Sequence, residues 1–401
     1  MIPAFIKSNP GLAFFSFIAV FSSGFGQTFF VSVMGGEIRE TFDLTHTTYG
    51  SIYSLATLLS ALFLFRLGGL ADSWTLARIT FLALTSLAAG CLLIGTASGV
   101  VILGLGFVLI RFGGQGYISH LGITTAARYF PAHKGKAVAL AASGIPVAEA
   151  MLPAGAVLVM GIMGWRWSWM AGGVVLMVFI LPVLLFLSRK TQAPLLDREL
   201  IGKAGSKGAF TRSAVLGDPG FYLVLPAAVA TPFVVTAILF HQVAIAEIQG
   251  WSLQVVATAF SFYASGHLGS LILAGPVVDR LGAGRTLPVS LLPMALGLLI
   301  LAFFQGSWVA MAYLGLVGIT QGFASTAAGS VWVERYGVTH LGAIRSMVQS
   351  LMVVSTSMAP VMLGLLLDLG AGISLLAIMM TGAVLGASAL SAWAPASVQK
   401  K

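Results

Sequence analysis

Gly68-Gly69-Leu70-Ala71-Asp72 and Gly275-Pro276-Val277-Val278-Asp279 stand 207 residues apart, and each follows an apolar run long enough to cross a bilayer. The offset persists downstream. Arg128-Tyr129 pairs with Arg335-Tyr336, His133 with His340, Gly135 with Gly342, Ser143 with Ser350 and Pro153 with Pro360. A one-residue shift pairs Gln115-Gly116 with Gln321-Gly322. Chance is a poor account of a series that keeps one offset across four helices. The chain reads as two related halves in the same orientation, the parallel-repeat plan in which a substrate site lies between two rocking bundles.

The surrounding composition says what solvent those halves meet. The 401 residues are 58% hydrophobic and 8% charged, where a soluble domain carries roughly 25% charged residues. So little charge cannot make a water-exposed surface, and lipid is the expected partner. Apolar runs at 11–34, 48–70, 79–97, 101–123, 137–160, 168–188, 220–243, 253–275, 287–304, 308–330, 344–367 and 372–394 each suit a membrane helix of about 20 residues. Their length and lack of strict alternation point to helices, not barrel strands. The expectation is an all-α membrane protein of twelve spans: an N-terminal six-helix bundle over 1–188, a polar linker over 189–217 and a C-terminal six-helix bundle over 218–401. The first run is too long for a signal-peptide core and is read as a retained span.

Charge sets orientation. The net charge is +9, yet the basic residues lie in short loops between apolar runs. They form no aromatic-interleaved face, which excludes nucleic acid as a partner. With the N-terminus inside, 18 of the 21 Lys and Arg fall on the cytoplasmic side; Arg39 and Arg166 fall outside and Arg111 within a span. Both termini are expected in the cytoplasm of a bacterial-type inner membrane, and the chain is expected to act as a monomer. The single Cys91 excludes an internal disulfide, and neither it nor the His and acidic residues have metal-ligand spacing.

At the level of motif the chain resembles the major facilitator superfamily. Gly68-Gly69-Leu70-Ala71-Asp72 is close to that family's Gly-x-Leu-Ala-Asp signature, with its basic continuation degraded to Ser73-Trp74-Thr75-Leu76-Ala77-Arg78. The second copy, continuing through Arg280-Leu281-Gly282-Ala283-Gly284-Arg285, is better preserved. Arg111 followed by Gln115-Gly116 is similar to the family's Arg-x-x-Gln-Gly motif with one extra residue, and Gly164-Trp165-Arg166 is also typical. The resemblance covers the whole chain and is closest to bacterial monocarboxylate and oxalate/formate carriers. It implies a secondary transporter, not an enzyme, working by alternating access on a small-molecule substrate without a cofactor. The loop residues Gly68, Asp72, Gly275, Asp279, Arg280 and Arg285 are the expected gate. The glycines would allow close approach, and each Asp would take hydrogen bonds or a positive helix end.

Ionisable groups inside the bilayer are candidate functional residues by default. Arg111 in span 4 and Glu149 in span 5 both lie roughly 15–20 Å deep, near the midplane. They could face each other as a structural pair or face a cavity, where they would couple protons or read substrate charge. Neither has a charged counterpart in the other half, since Glu149 aligns with Thr356 and Arg111 with Val317 or Gly318. His267 in span 8 can titrate near neutral pH or simply hydrogen-bond, and His241 lies near the outer end of span 7. Gln27 and Thr28 follow Gly24 and Gly26, where glycine could loosen span 1; Tyr49 and Tyr53 share a face of span 2; Gln115 is one turn from Arg111. Gln349 and Ser350 are polar in span 11. Each of these is equally suited to interhelical packing. Arg111, His267 and His241 against one Glu149 favour an anionic solute, such as a monocarboxylate, coupled to protons. The alternative is proton-driven efflux of drugs or metabolites, although Ser143-Gly144-Ile145-Pro146-Val147-Ala148-Glu149 departs from the span 5 motif of efflux relatives. No nucleotide motif and no nucleophile–base constellation supports an enzyme.

Overall fold

The computed structural model describes residues 9–67, 74–189, 212–337 and 341–395. The described residues are helical, without strands. Among the described residues twelve helices are long and apolar enough to span a membrane: Pro10–Val33, His46–Leu67, Leu76–Gly95, Val100–Tyr129, Pro131–Met163, Trp165–Ser188, Pro219–Phe240, Leu253–Leu281, Ala283–Phe303, Ser307–Tyr336, Ile344–Asp368 and Ile373–Trp393. They are spans 1 to 12 below. Spans 4, 8 and 10 run about six residues past the apolar runs expected for them, because a helix satisfies its own backbone and need not stop where the side chains turn polar.

Local chemistry sets several helix starts. The Asn9 side chain accepts from Leu12 N at 3.2 Å ahead of Pro10. Asp218 accepts from Gly220 N at 2.9 Å ahead of Pro219, and Ser252 caps Val255 N. A side-chain oxygen takes up an amide with no intrahelical partner, and proline at the first position gives up none. Gly282, at φ +82°, turns the chain between spans 8 and 9 in a conformation that disfavours any residue with a Cβ.

The chain divides into two compact units, one carrying spans 1–6 and the other spans 7–12. The repeat reappears within each as a break at the same offset. Span 1 ends at Met34 (φ −97°, ψ 1°) and a short helix Gly35–Thr41 follows; span 7 ends at His241 (φ −97°, ψ 17°) and Gln242–Gln249 follows.

Small residues hold the helices together, as expected where lipid removes the hydrophobic drive between them. In the second unit a Cβ on Gly318 would lie 2.1 Å from Tyr263 O, and one on Gly266 2.4 Å from Gly315 O, so spans 8 and 10 touch backbone to backbone. In the first unit Gly113 lies against Ala83 O and Leu87 N, and Gly122 against Ser16 O.

Candidate functional site

The polar centre of the first unit is built on two irregular helices. Span 1 is α-helical over Pro10–Ser22 and tightens to a 3-10 turn over Ser23–Gly26. It passes through extended Gln27 (φ −93°, ψ 158°) and resumes at Thr28–Val33. Span 4 is α-helical to Ile110, widens to a π-helical turn over Arg111–Ile118 and returns to α at Ser119. A π turn accommodates one inserted residue. This is the physical form of the extra residue between Arg111 and Gln115 and of the one-residue shift in the repeat. The matching stretch of span 10 lies in an unbroken α-helix, Ser307–Tyr336.

The irregular segments meet at glycines. A Cβ on Gly26 would stand 2.2 Å from Ile110 O and 2.9 Å from Gly114 Cα, and one on Gly114 would stand 2.8 Å from Gly26 Cα. This contact brings the Gly26 carbonyl to the side chain of Arg111. Arg111 is 2% exposed, and its Nη1 donates to Gly26 O at 3.4 Å. The guanidinium carbon stands 5.1 Å from the ring centroid of Tyr53, whose hydroxyl is 3.0 Å from Thr28 Oγ1. The aromatic face contributes attraction to the cation. Edge contact with Phe107 fixes the Tyr53 ring. The Nε of Arg111 is buried with no hydrogen-bond acceptor among the described residues.

Glu149 is also buried, on the helix Gly144–Met163, next to Ala148, whose Cβ packs on Gly24. Among the described residues the contacts of Arg111 are with Gly26 and Tyr53, and Glu149 is not an ion-pair partner. Of the two arrangements open from depth alone, the structural pair is not the one formed. Gln27 is half-buried at the break, while Gln115 is exposed, so a shared turn does not bring Gln115 to the buried guanidinium.

In the second unit His267 is buried, with its ring 6.0 Å from that of Tyr263. Its carbonyl accepts from Ser270 Oγ at 3.1 Å, and Gly318 and Gly322 pack on its backbone. His241 sits at the break after span 7 with Nε2 2.8 Å from Pro360 O. A carbonyl can only accept, so Nε2 carries the proton. Next to it, Gln242 Oε1 accepts from the Tyr313 hydroxyl.

The loop signature differs from expectation. Gly68 and Asp72 lie outside the described residues. Among the described residues no atom lies within 4 Å of the place a Cβ on Gly275 would take. Asp279, Arg280 and Arg285 are exposed, and Asp279 makes no hydrogen bond or ion pair among the described residues. The carboxylate that takes up the helix end is Glu334 of span 10, whose Oε2 accepts from Ala283 N at 2.6 Å and Gly284 N at 3.4 Å. It lies beside the repeated Arg335-Tyr336 but has no acidic counterpart at Ala127, so the repeat did not single it out.

A second cluster, also missed, ties the start of span 7 to the end of span 10. Asp218 Oδ2 accepts from Arg335 Nε at 3.1 Å and from Tyr336 Oη at 2.8 Å, while Arg335 Nη1 donates to Pro395 O at 2.9 Å. Gly220 is required there, because a Cβ would fall 1.5 Å from Arg335 Nη2. Burial pushes the Asp218 carboxyl up. Hydrogen bonds from Tyr336, Arg335 and Gly220 N, with the charge of Arg335, outweigh it and hold the pKa below the usual carboxylate range. The Asp-Pro-Gly start of span 7 is the sequence signal for this cap.

Among the described residues no group of three His, Cys, Asp or Glu side chains could hold a metal ion. Comparison with known proteins places the chain. The family model described as Major Facilitator Superfamily matches residues 16–266 and 224–401. No curated protein matches. Among solved structures, the chain is similar to a bacterial homolog of the human lysosomal transporter Spinster. In its inward-facing, unoccupied conformation the TM-score is 0.67 at 16% identity, covering 96% of this chain and 94% of the other. In its inward-facing, occupied conformation the TM-score is 0.67 at 17% identity, covering 96% and 93%. The chain belongs to the Major Facilitator Superfamily, and is a multi-pass membrane transporter of small molecules.

Proposed function

We propose that this secondary transporter carries a small organic anion, such as a monocarboxylate, by proton-coupled alternating access, with Arg111 reading the negative charge of the substrate. The supporting observation is the guanidinium itself. It is 2% exposed, lies on Tyr53, makes one long hydrogen bond to Gly26 and has an Nε without an acceptor among the described residues. A guanidinium offers five donors, and leaving them unmet in a buried site is costly. An anionic ligand supplies the missing acceptors. Glu149 is proposed as the proton carrier, because it is an acidic side chain buried within a membrane span. His267, His241, Gln27, Gln115 and Tyr53 are proposed as supporting polar groups.

The same reading puts the protein in a bacterial-type inner membrane as a monomer, with bundles over 1–188 and 218–401 joined by a cytoplasmic linker and both termini inside. Asp279, Arg280 and Arg285, with Gly275 and the matching Gly68 and Asp72, are proposed as the gate.

The decisive experiment is thermal stability of purified protein against small carboxylates, sulfonates and organic cations, since a ligand bound to the folded state raises apparent stability. A carboxylate should stabilise the wild type and leave R111Q unmoved. Stabilisation by cations alone, or a carboxylate response intact in R111Q, would overturn the reading. Because Arg111 and Glu149 are not paired with each other, neutralising one does not strand the charge of the other. E149Q should keep exchange down a gradient and lose accumulation driven by a pH gradient. Retained accumulation would remove Glu149 from the coupling.

A further inference from the structure

Spans 1 and 7 open on matching sequences, Asn9-Pro10-Gly11 and Asp218-Pro219-Gly220, each with a side-chain cap ahead of a first-turn proline. Spans 4 and 10 close on the repeated Arg128-Tyr129 and Arg335-Tyr336. In the second unit the two matches meet, because Asp218 Oδ2 accepts from both Arg335 Nε and Tyr336 Oη. In the first unit the carboxylate is replaced by the uncharged Asn9, whose Oδ1 is taken up by Leu12 N. Its remaining polar atom is an amide nitrogen, a donor that cannot accept from a guanidinium.

Gly26 packs on Gly114, and Ser16 O on Gly122, so spans 1 and 4 run antiparallel. That register sets Arg128 and Tyr129 level with the first turn of span 1. Arg128 is half-buried; among the described residues it has no acceptor, and its Nη1 is buried unpaired.

An apolar groove of about 580 Å³ opens at the same turn. Pro10, Gly11, Phe14 and Phe17 line it from span 1, Leu140 from span 5 and Leu187 from span 6. Lys136, exposed, stands one turn before Leu140, and exposed Lys134 begins the same stretch of helix. Arg189, also exposed, follows Leu187 by two residues. Glu37, Glu40 and Asp43 lie past the far end of span 1, and Glu149 lies within span 5. This end of the first unit therefore carries cations and no described carboxylate. A small soluble anion would leave the groove unfilled, and an apolar chain by itself would leave Arg128 unmet.

We infer that the first unit binds an anionic phospholipid here, with its phosphate on Arg128 and an acyl chain in the groove along span 1. The phosphate restores to Arg128 the charged acceptor that Asp218 gives Arg335. Lys134, Lys136 and Arg189 favour a lipid of net negative charge over a zwitterionic one. The second unit supplies its own anion at the matching place.

The test is thermal stability of the purified protein in detergent, titrated with dioleoylphosphatidylglycerol, dioleoylphosphatidylcholine or inorganic phosphate. Wild type should bind phosphatidylglycerol about 10-fold or more tighter than phosphatidylcholine, the worth of a charge-assisted hydrogen bond. R128Q removes a guanidinium that has no partner among the described residues, and should lose most of that preference. N9D keeps the cap and installs the carboxylate of the second unit. It should fold as wild type does and lose the preference too, because Arg128 then has an internal partner. A Cβ on Gly11 would meet Asn9 Oδ1 and Leu187 at 3.8 Å, an ordinary contact, so G11L should fold, fill the groove and weaken phosphatidylglycerol binding. A preference absent in wild type, or unchanged in R128Q or in N9D, overturns the inference and leaves only general surface charge. Undiminished binding by G11L removes the groove from it. Stabilisation by inorganic phosphate equal to that by phosphatidylglycerol would make the ligand free phosphate and not a lipid.

Discussion

Replacing Gly26 with alanine tests whether the contact between spans 1 and 4 positions Arg111. The new Cβ would sit 2.2 Å from Ile110 O and 2.9 Å from Gly114 Cα, and ordinary contact begins near 3.4 Å. Both neighbours are backbone, so no side chain can swing away, and the two helices must part by about 1 Å. Overpacking of this kind costs about 1–3 kcal/mol, and the backbone contact puts G26A near the upper end. For a unit of this size each kcal/mol moves the melting temperature by about 2–4 °C, so G26A should melt about 6–12 °C lower. The chain supplies its own reporter. Cys91, its single cysteine, is buried in span 3 of the same unit, so a thiol-reactive fluorophore will report its exposure on heating. Gly155 is the control, because no described residue lies within 4 Å of where its Cβ would go and alanine is the better helix former. G155A should melt at or slightly above wild type. Separation of the helices would also break the 3.4 Å bond from Arg111 to Gly26 O, so G26A should lose ligand stabilisation even well below its melting point. A G26A protein that melts within a degree or two of G155A and still responds to ligand would refute the packing and the positioning together.

The Asp218 cluster makes a pH prediction. A carboxyl held below its ordinary pKa contributes stability that is fully present above the unfolded value, about 3.9, and is lost as pH falls through the folded value. Wild type should therefore lose more stability than D218N on acidification below about pH 4, in melting scans of the two proteins. At neutral pH D218N should be less stable by about 3 kcal/mol, since it leaves Arg335 buried without its counter-charge; equal melting would make the cluster energetically idle. E334A should free the amides of Ala283 and Gly284, raising their hydrogen exchange about 10-fold or more as charge-assisted bonds are lost, with no change at distant amides. Y53F removes the bond to Thr28 but keeps the ring under Arg111, so it should cost about 1 kcal/mol and spare ligand stabilisation; Y53A should abolish that stabilisation. Equal ligand responses in Y53F and Y53A would show that the ring is not needed.

Composition and repetition alone determined that this chain lives in lipid, spans it twelve times and consists of two like halves. Those properties depend on sums over many residues, where 8% charge and apolar runs of about 20 residues leave one solvent and one class of element. Position along a helix is legible in the same way, because rise per residue is fixed. The direction of a side chain is not, since one inserted residue turns everything beyond it by about 100°. The extra residue after Arg111 was visible in the sequence, but only the folded backbone shows that it is absorbed in a π turn, with Gly26 packed on Gly114 and the guanidinium set on Tyr53 and the Gly26 carbonyl. Tertiary structure likewise decided that Glu334, not Asp279, takes up the start of span 9, and that Asp218 reaches across to Arg335. Each of these is a contact between residues more than 50 positions apart, and which of several suitable carboxylates makes it depends on how helices cross, which no local pattern of residues encodes.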